Sequence, residues 1–412
     1  MQRLGIIGTA SIADNRFLPA LKLSDTFEYV GVAGRNAQKT EMFIEKYGGQ
    51  AFQGYDAIVD RDVVDCLYVP LPPALHYEWG KECLKKDIHV FMEKPFATSY
   101  QEALELVEMA KEKEKVIYEN YMFLYHRQLA VIKDLLFEQK LLGDLRMIRI
   151  NFAFPHRDKN DFRYSARMGG GALLDCGGYT ARLAMELLGD VIEVKTAKLN
   201  TNDAYDVDLF GSATLEDENG LVAQLAFGMD NGYKCELEVI GQKGWLRAGR
   251  IFTAPPEMEV EIAMSVNNET KTIVVGKDNQ FFSTVYHVMD EFGSRLDFPT
   301  CRDGFQNAHT NHYLALHGLG YLLIIRILVD TQILYEVAFR FLILQPRSDI
   351  HLNILTCLVW KLRQHFSFFT PEEAGIPKAP VQFFQIGCFL RPITETFGEC
   401  LIPSKILQPS HY

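Results

Sequence analysis

The sequence lacks paired or closely spaced cysteines and the leader pattern expected of a secreted protein. Its eight cysteines among 412 residues form no C-x-x-C pair and no closely spaced framework, which excludes a disulfide scaffold and a cysteine-rich zinc site. Met1 leads almost directly into a strand pattern and leaves no room for a signal peptide. We therefore expect reduced thiols and a cytoplasmic location.

Basic residues are outnumbered by acidic residues. The chain has 42 lysines and arginines against 53 aspartates and glutamates, a formal net charge of -11. This balance argues against nucleic acid or an anionic membrane surface as the main partner, so an anionic substrate needs local basic groups. The length predicts two or three domains, and 48% hydrophobic with 23% charged residues is typical of a globular protein.

A glycine-rich stretch over 168–184, M-G-G-G-A-L-L-D-C-G-G-Y-T-A-R-L-A, is the most distinctive feature. The glycines over 169–171 allow the backbone to approach a ligand before a helix begins. Within that helix Asp175 and Tyr179 are four residues apart, so a carboxylate and a phenol share one face. The glycine pair at 177–178 weakens the helix by about 1 kcal/mol per residue, which a bulky ligand against the turn would explain. The alternative is a tightly packed helix start with an ordinary core tyrosine.

The N-terminus has the strand, turn and helix order of a dinucleotide-binding fold. The apolar run 4–7 ends in G-T-A-S-I-A over 8–13, and a helical pattern follows. In this context a G-x-G-x-x-G/A fingerprint places the helix-start amides against a pyrophosphate. Ala10 replaces the middle glycine, so an ordinary strand-to-helix turn is the alternative. The predicted cofactor contacts here are Gly8, Ala10, Ser11 and Ile12.

The second predicted strand, 28–33, ends beside the expected position of the adenosine ribose. Gly34 and Arg35 follow it, where an NAD enzyme usually offers an acidic residue to the ribose hydroxyls. An arginine there can pair with a 2′-phosphate, and no carboxylate stands beside it to repel that group. Arg35 therefore favours NADP over NAD, and a solvated arginine at a strand end is the alternative.

Strand and helix patterns then alternate regularly. The predicted strands are 65–69, 89–92 and 116–118, with helical stretches near 38–47, 74–86 and 100–114. This alternation predicts an α/β fold with a doubly wound parallel sheet of the Rossmann type.

Two loops follow these strands at their carboxyl ends, where ligands bind in such sheets. The proline-rich loop 69–76 ends in His76 and is placed to lie over the nicotinamide. Glu93-Lys94-Pro95 forms the other loop. Its proline biases Lys94 towards extended geometry, so the ammonium can point out of the sheet edge. A charged residue that merely caps a strand end is the alternative.

From about residue 145 the pattern changes to strand-like alternation separated by turn signals. The predicted strands are 145–154, 191–199, 206–215, 221–228, 234–240 and 270–275. Consecutive hairpins of this kind build an α+β domain with an open, mostly antiparallel sheet. Helices would cover one face and a second subunit the other, so we expect a homo-oligomer.

Several motifs in order resemble the glucose-fructose oxidoreductase, inositol dehydrogenase and MocA (Gfo/Idh/MocA) family. They are G-T-A-S-I-A near the N-terminus, Y-V-P-L-P-P-A-L-H at 68–76, E-K-P at 93–95, E-N-Y-M-F at 119–123 and G-G-G-A-L-L-D-x-G-x-Y at 169–179. The resemblance covers residues 3–290. Within the family, the chain is most similar to nucleotide-sugar 3-ketoreductases of deoxysugar pathways, which share Ala10 and Tyr179. Many other relatives carry histidine in place of that tyrosine.

The resemblance implies a Rossmann domain over 1–121, an α+β domain over 122–297 and NAD(P)-dependent oxidation or reduction of a sugar carbon. In a ketone reduction, Tyr179 would protonate the developing alkoxide. A phenol with a pKa of about 10 is a poor acid at neutral pH, so a nearby Lys94 would lower that pKa and stabilise negative charge on the substrate. Asp175 would hold the lysine or a sugar hydroxyl.

Further residues of these loops and motifs are assigned to the ligands. Predicted cofactor contacts are Leu71, Pro72, His76, Glu93 and Lys94; predicted substrate contacts are Asn120, Tyr121, Arg163, Tyr164 and Tyr179. For the diphosphate of a nucleotide sugar, Arg163 offers a cation and its aromatic neighbours offer stacking surfaces. Arg157, Arg167 and His126 are weaker candidates.

Two other functions remain open at this point. A sugar or polyol dehydrogenase would use the same fold with Tyr179 as the base. A protein that senses dinucleotide without catalysis has no need to keep Lys94, Asp175 and Tyr179 together. The residues do not identify the sugar, the carbon or the direction of reaction.

Residues 298–412 depart from the family pattern and form an atypical C-terminal extension of unknown fold. The apolar stretch 319–344 is interrupted by charged residues, which favours a buried or interfacial helix over a membrane span. His309 and His312 have no carboxylate at a supporting spacing, so no metal is expected. The extension is an appendage, a fusion remnant or a sequence that folds poorly.

Overall fold

The computed structural model describes residues 1–25, 27–189 and 191–287. Its first six strands are β1 (Gln2–Ile7), β2 (Phe27–Gly34), β3 (Gln50–Gln53), β4 (Cys66–Val69), β5 (His89–Glu93) and β6 (Ile117–Asn120). All pair in parallel, in the order β3-β2-β1-β4-β5-β6. The predicted doubly wound sheet is confirmed, and its carboxyl edge collects the loops that follow β1, β4, β5 and β6.

Helices connect these strands in the alternation that the sequence predicts. They are α1 (Leu18–Leu21), α2 (Ala37–Tyr47), α3 (His76–Lys85) and α4 (Tyr100–Glu112). The Ser99 hydroxyl caps α4 by accepting from the Glu102 backbone nitrogen at 3.2 Å. Strand β3 was not predicted, because the sequence Gln-Ala-Phe-Gln is a largely exposed edge with no apolar alternation.

The second sheet has eight strands. They are β7 (Leu145–Ala153), β8 (Ile192–Asn200), β9 (Phe210–Asp217), β10 (Val222–Gly228), β11 (Lys234–Gly241), β12 (Gly244–Gly249), β13 (Val260–Val266) and β14 (Glu269–Gly276). Their order is β14-β13-β12-β11-β7-β10-β9-β8, and the β7–β10 pair alone is parallel. The open, mostly antiparallel sheet is confirmed, although β12 and β13 were not predicted.

The two faces of this sheet differ. Helix α6 (Gly178–Leu188) is buried along nearly its whole length and packs against β7 and β10, and α5 (Arg127–Lys133) precedes the sheet. On the outward face, Arg149 pairs with Glu238 at 3.2 Å, and Glu238 lies 3.6 Å from Arg247. The outward face is therefore polar along its central strands.

The described part of the chain contains no helix long and apolar enough to cross a membrane. In those same residues, no three histidine, cysteine, aspartate or glutamate side chains come together as a metal site. Four thiols are free and buried: Cys66, Cys83, Cys176 and Cys235. His309, His312, the stretch 319–344 and the whole extension 298–412 lie outside the described residues.

Candidate active site

The carboxyl edge of the parallel sheet brings two predicted catalytic side chains together. Lys94 follows β5, and Asp175 lies in a wide helical turn, Leu173–Gly177, that leads into α6. The Lys94 ammonium donates to Asp175 Oδ1 at 2.7 Å and to the Asp175 backbone oxygen at 2.9 Å. Both side chains are 12% exposed. The fold therefore joins two residues 81 positions apart in an enclosed ion pair.

Asp175 has a second cationic partner, Arg163, which we expected to bind the substrate. Arg163 Nε donates to Asp175 Oδ2 at 2.7 Å, and Arg163 Nη1 donates to Asp161 at 3.1 Å. Burial alone would raise the pKa of Asp175, but Lys94 and Arg163 hold that pKa well below its usual range. Asp175 therefore stays ionised. Two carboxylates engage Arg163, whose Nη2 alone has no acceptor among the described residues.

Tyr179 reaches the same place from α6 but does not hydrogen-bond to the lysine. The Lys94 ammonium lies 4.8 Å from the centroid of its ring, while its hydroxyl contacts the Met122 sulfur at 3.6 Å. Burial, followed by the nearby Glu93 and Asp175 carboxyls, raises the pKa of Tyr179 well above its usual value. The structure thus differs from the expected lowering by Lys94, because the ammonium faces the ring and not the phenol oxygen.

The glycine-rich stretch is explained by contacts within the protein. A Cβ on Gly169, where φ is +74°, would lie 2.8 Å from the Cβ of Pro73 in the proline-rich loop. A Cβ on the next glycine would overlap the Arg163 carbonyl. Phe227 fills the space beside Gly177, at 3.2 Å from the position of an added Cβ. Close packing of protein segments therefore requires these glycines, which is the alternative that the sequence left open.

Replacing Gly169 by alanine should lower the free energy of unfolding by about 2 to 6 kcal/mol, since left-handed backbone and overpacking each cost about 1–3 kcal/mol. Chemical denaturation measures this change. Gly220→Ala is the matched control, because its φ is +82° and no atom lies within 4 Å of the added Cβ. Equal losses in the two variants would show that packing against the proline-rich loop contributes nothing.

Two carboxyl groups that the sequence did not single out support this site. Asp208 accepts from the Leu173 backbone nitrogen at 2.7 Å and so caps the turn that carries Asp175. Glu119 accepts from the Phe96 backbone nitrogen at 2.7 Å, just beyond the Glu93-Lys94-Pro95 loop. Burial raises the pKa of Asp208 to about 6 and that of Glu119 to about 8. Spacing along the chain does not show such contacts between separate segments.

The loop after β1 lies at the same edge. Gly8 has φ +104°, and a Cβ there would lie 2.7 Å from Leu71 Cδ2, so the proline-rich loop closes against it. Ala10 accepts hydrogen bonds from the first helical turn, which begins at Ser11 and Ile12. The predicted cofactor residues of the loop after β1 therefore lie beside those of the proline-rich loop, where Pro72 directly follows Leu71.

Arg35 is exposed directly after β2. Its guanidinium lies 5.3 Å from the centroid of the Tyr55 ring. No carboxylate forms an ion pair with it in the part of the chain that the structure describes. Its charge therefore remains available to a ligand.

Three other predicted cofactor and substrate residues bond mainly to the protein itself. Glu93 accepts from the Tyr68 hydroxyl at 2.5 Å and from Asn120 Nδ2 at 2.6 Å. Asn120 is fully buried. His76 is also fully buried, with both ring nitrogens at backbone carbonyl oxygens. The structure places these side chains behind the site, where they hold its loops.

Two predicted substrate tyrosines are likewise buried. Tyr121 is 1% exposed and packs edge-on against Tyr179, with 5.1 Å between ring centroids. The Tyr164 hydroxyl accepts from the Arg157 backbone nitrogen at 2.9 Å and donates to the Met229 carbonyl at 3.1 Å. Tyr121 therefore packs behind Tyr179, whereas Tyr164 fixes the segment that carries Arg157.

Comparison with known proteins agrees with this architecture. Residues 2–121 match the model of the GFO/IDH/MocA oxidoreductase family with an NAD-binding Rossmann fold, and residues 132–247 match its C-terminal domain. The dTDP-3,4-didehydro-2,6-dideoxy-alpha-D-glucose 3-reductase of Actinomadura kijaniata is 36% identical over 283 residues, or 69% of this chain and 85% of that protein. The reductase of the same name from Streptomyces violaceoruber is 39% identical over 254 residues, or 61% and 74% of the two chains.

Solved structures give the same result. KijD10, a 3-ketoreductase from Actinomadura kijaniata in complex with NADP and TDP-benzene, superposes with a TM-score of 0.72 at 33% identity. The match covers 78% of this chain and 94% of that one.

Fold and site together define a dinucleotide-dependent oxidoreductase with a Rossmann domain. The chain belongs to the GFO/IDH/MocA family and is an NAD(P)-dependent oxidoreductase of sugars. The predicted family and nicotinamide cofactor are confirmed.

Proposed function

We propose that this protein reduces a keto group at C3 of a nucleotide-linked sugar, with NADPH as the hydride donor. The Lys94–Asp175 ion pair of 2.7 Å, at the sheet edge where dinucleotides bind, carries this proposal. Relatives named as 3-reductases of a dTDP-linked sugar support the substrate class. NADPH consumption that depends on a TDP-linked 3-keto sugar would test the proposal, and its absence with folded protein would contradict it.

The first two loops fit a phosphorylated dinucleotide. Gly8 has left-handed backbone that lets the loop after β1 pack against Leu71, and the helix starting at Ser11 offers backbone N–H groups to a pyrophosphate. Arg35 is the exposed cation after β2, where a 2′-phosphate would lie. We therefore assign Gly8, Ser11 and Arg35 to NADP binding. We also propose that the cofactor domain ends near residue 121, where the family match ends.

Arg35→Glu should weaken NADPH binding by about 10- to 100-fold, because it replaces a charge-assisted hydrogen bond with repulsion of the 2′-phosphate. NADH binding should change little. Fluorescence titration with each nucleotide measures both constants. Lys271→Glu makes the same charge change on exposed β14 and serves as the control. Parallel weakening of both nucleotides by Arg35→Glu would remove Arg35 from phosphate recognition.

Lys94 is positioned to stabilise charge on the substrate. Bound NADPH supplies a hydride to the carbonyl carbon. Two N–H groups of Lys94 are held by Asp175, and the third has no acceptor among the described residues. That N–H can donate to the carbonyl oxygen as negative charge develops there. Because Asp175 stays ionised, it holds the Lys94 side chain in place through an ion pair and two hydrogen bonds.

Tyr179 is suited to give a proton in the reductive direction. Its raised pKa keeps the phenol protonated at neutral pH, and an alkoxide is basic enough to take that proton. The oxidative direction would need a phenolate base, which burial beside Glu93 and Asp175 disfavours. Relatives named as 3-reductases support reduction over the dehydrogenase alternative.

The nucleotide of the proposed substrate needs basic and aromatic groups in addition to Arg163, which two carboxylates already engage. Arg157 is exposed, with its guanidinium 5.0 Å from the Phe154 ring. His156 is exposed beside it, and its ring stacks on the buried ring of Tyr164 with 4.4 Å between ring centroids. We assign this surface to the nucleotide, with Arg163 Nη2 contributing from the catalytic side.

The outward sheet face is the proposed contact between copies of the chain. The Arg149–Glu238 pair at its centre is self-complementary in charge, and Trp245 is 37% exposed. Light scattering should give a mass of at least two chains; a monomer at working concentrations would contradict this contact.

A further inference from the structure

His76 begins α3 and is fully buried between two loops of the active-site edge. Its Nδ1 lies 2.7 Å from the Pro95 carbonyl oxygen, and its Nε2 lies 2.8 Å from the Leu71 carbonyl oxygen. Carbonyl oxygens only accept hydrogen bonds, so a hydrogen bond at either ring nitrogen requires an N–H on that nitrogen.

A neutral imidazole has one N–H and can satisfy one of these carbonyls. Burial lowers the pKa of His76 to about 4 despite the two carbonyl contacts, and the nearby Lys94 ammonium acts in the same direction. The ring is therefore neutral near pH 7. Its single proton lies either towards Pro95 or towards Leu71.

The loop that carries Lys94 is fixed at several points. Glu93, before the lysine, is held by two side chains, and the Phe96 backbone nitrogen donates to Glu119 at 2.7 Å. The Pro95 carbonyl lies between these two anchors and next to the lysine. Its bond to His76 is the shorter of the two ring contacts.

We propose that His76 is a positioning residue, whose Nδ1–H donates to the Pro95 carbonyl and fixes the backbone from which Lys94 reaches Asp175. This inference rests on the proposed function, because only a reaction in which Lys94 takes part is sensitive to the position of the lysine. His76 was predicted to contact the cofactor directly; here it acts one step away, through the loop.

Two amide variants separate the ring nitrogens. Asparagine at position 76 places its amide nitrogen near Nδ1, and glutamine places it near Nε2. His76→Asn should keep kcat within about threefold of wild type, whereas His76→Gln should lower kcat by about 10- to 100-fold through misplacement of Lys94. The NADPH dissociation constant, from fluorescence titration, should stay within about twofold in both variants.

The opposite order, with His76→Gln active and His76→Asn impaired, would overturn the inference. Losses of kcat that are equal in both variants and follow their melting temperatures would do the same, because they indicate a packing role. Failure of the wild-type protein to reduce a keto sugar would instead defeat the proposed function, before any variant is compared.

A measurement on the unaltered protein guards against variants that fold poorly. Long-range ¹H–¹⁵N spectra of protein labelled with ¹⁵N-histidine distinguish the two tautomers, and the signal of His76 is assigned by its loss in either variant. We expect the Nδ1–H tautomer near pH 7. An Nε2–H tautomer would contradict the proposed bond to Pro95.

Discussion

Lys94→Met should lower kcat for keto-sugar reduction by about 10²- to 10³-fold, the usual effect of removing one donor to a developing oxyanion. Methionine keeps much of the side-chain volume but removes all three N–H groups. Asp175 keeps its bond to Arg163 at 2.7 Å, so its charge is not left alone in the interior. Steady-state kinetics at saturating NADPH measure the change.

The loss should appear in kcat, with the NADPH dissociation constant nearly unchanged. Lys81→Met is the control, because Lys81 pairs with Glu105 on the outside of α3 at 3.3 Å and lies away from the sheet edge. The control should retain full activity. A Lys94→Met enzyme with near-normal kcat would remove the lysine from oxyanion stabilisation.

Tyr179→Phe should lower kcat by about 10²-fold or more, within the range expected for a general acid. Stability should change by no more than about 1 kcal/mol, because the lost hydroxyl has only the Met122 sulfur as its partner, at 3.6 Å. Binding of NADPH should be retained, so nucleotide titration and kinetics together separate proton donation from folding.

Tyr233→Phe makes the same chemical change at a half-exposed position bonded to Thr253 and should leave turnover intact. If Tyr179→Phe turns over like wild type, the proton comes from another group.

Much of the fold could be predicted because the strong signals were local. Alternation of apolar and polar residues marked most strands, and the regular succession of strand and helix indicated the parallel sheet. The prediction failed at β3, which is polar and lies at an edge, and at β12, a six-residue strand bounded by glycines. It also missed β13, although buried side chains alternate with more exposed ones over most of that strand.

The site was predictable as a set of residues but not as an arrangement. The motif resemblance selected Lys94, Asp175 and Tyr179 from distant segments, and the structure brings them together. It could not show that Arg163 binds Asp175, or that the Tyr179 hydroxyl turns towards Met122, because both depend on packing between segments. The glycines over 169–171 illustrate the same limit, since their neighbours are protein atoms of other loops.

Deuterium transfer from NADPH to a sugar carbon would show the proposed hydride transfer itself. Wild-type protein would be incubated with a TDP-linked 3-keto sugar and NADPH deuterated at either face of nicotinamide C4. We expect one of the two labelled cofactors to deliver a single deuterium to C3 of the product, as detected by mass spectrometry and NMR. Product without deuterium from both cofactors, or no product although NADPH binds, would contradict the proposed hydride transfer.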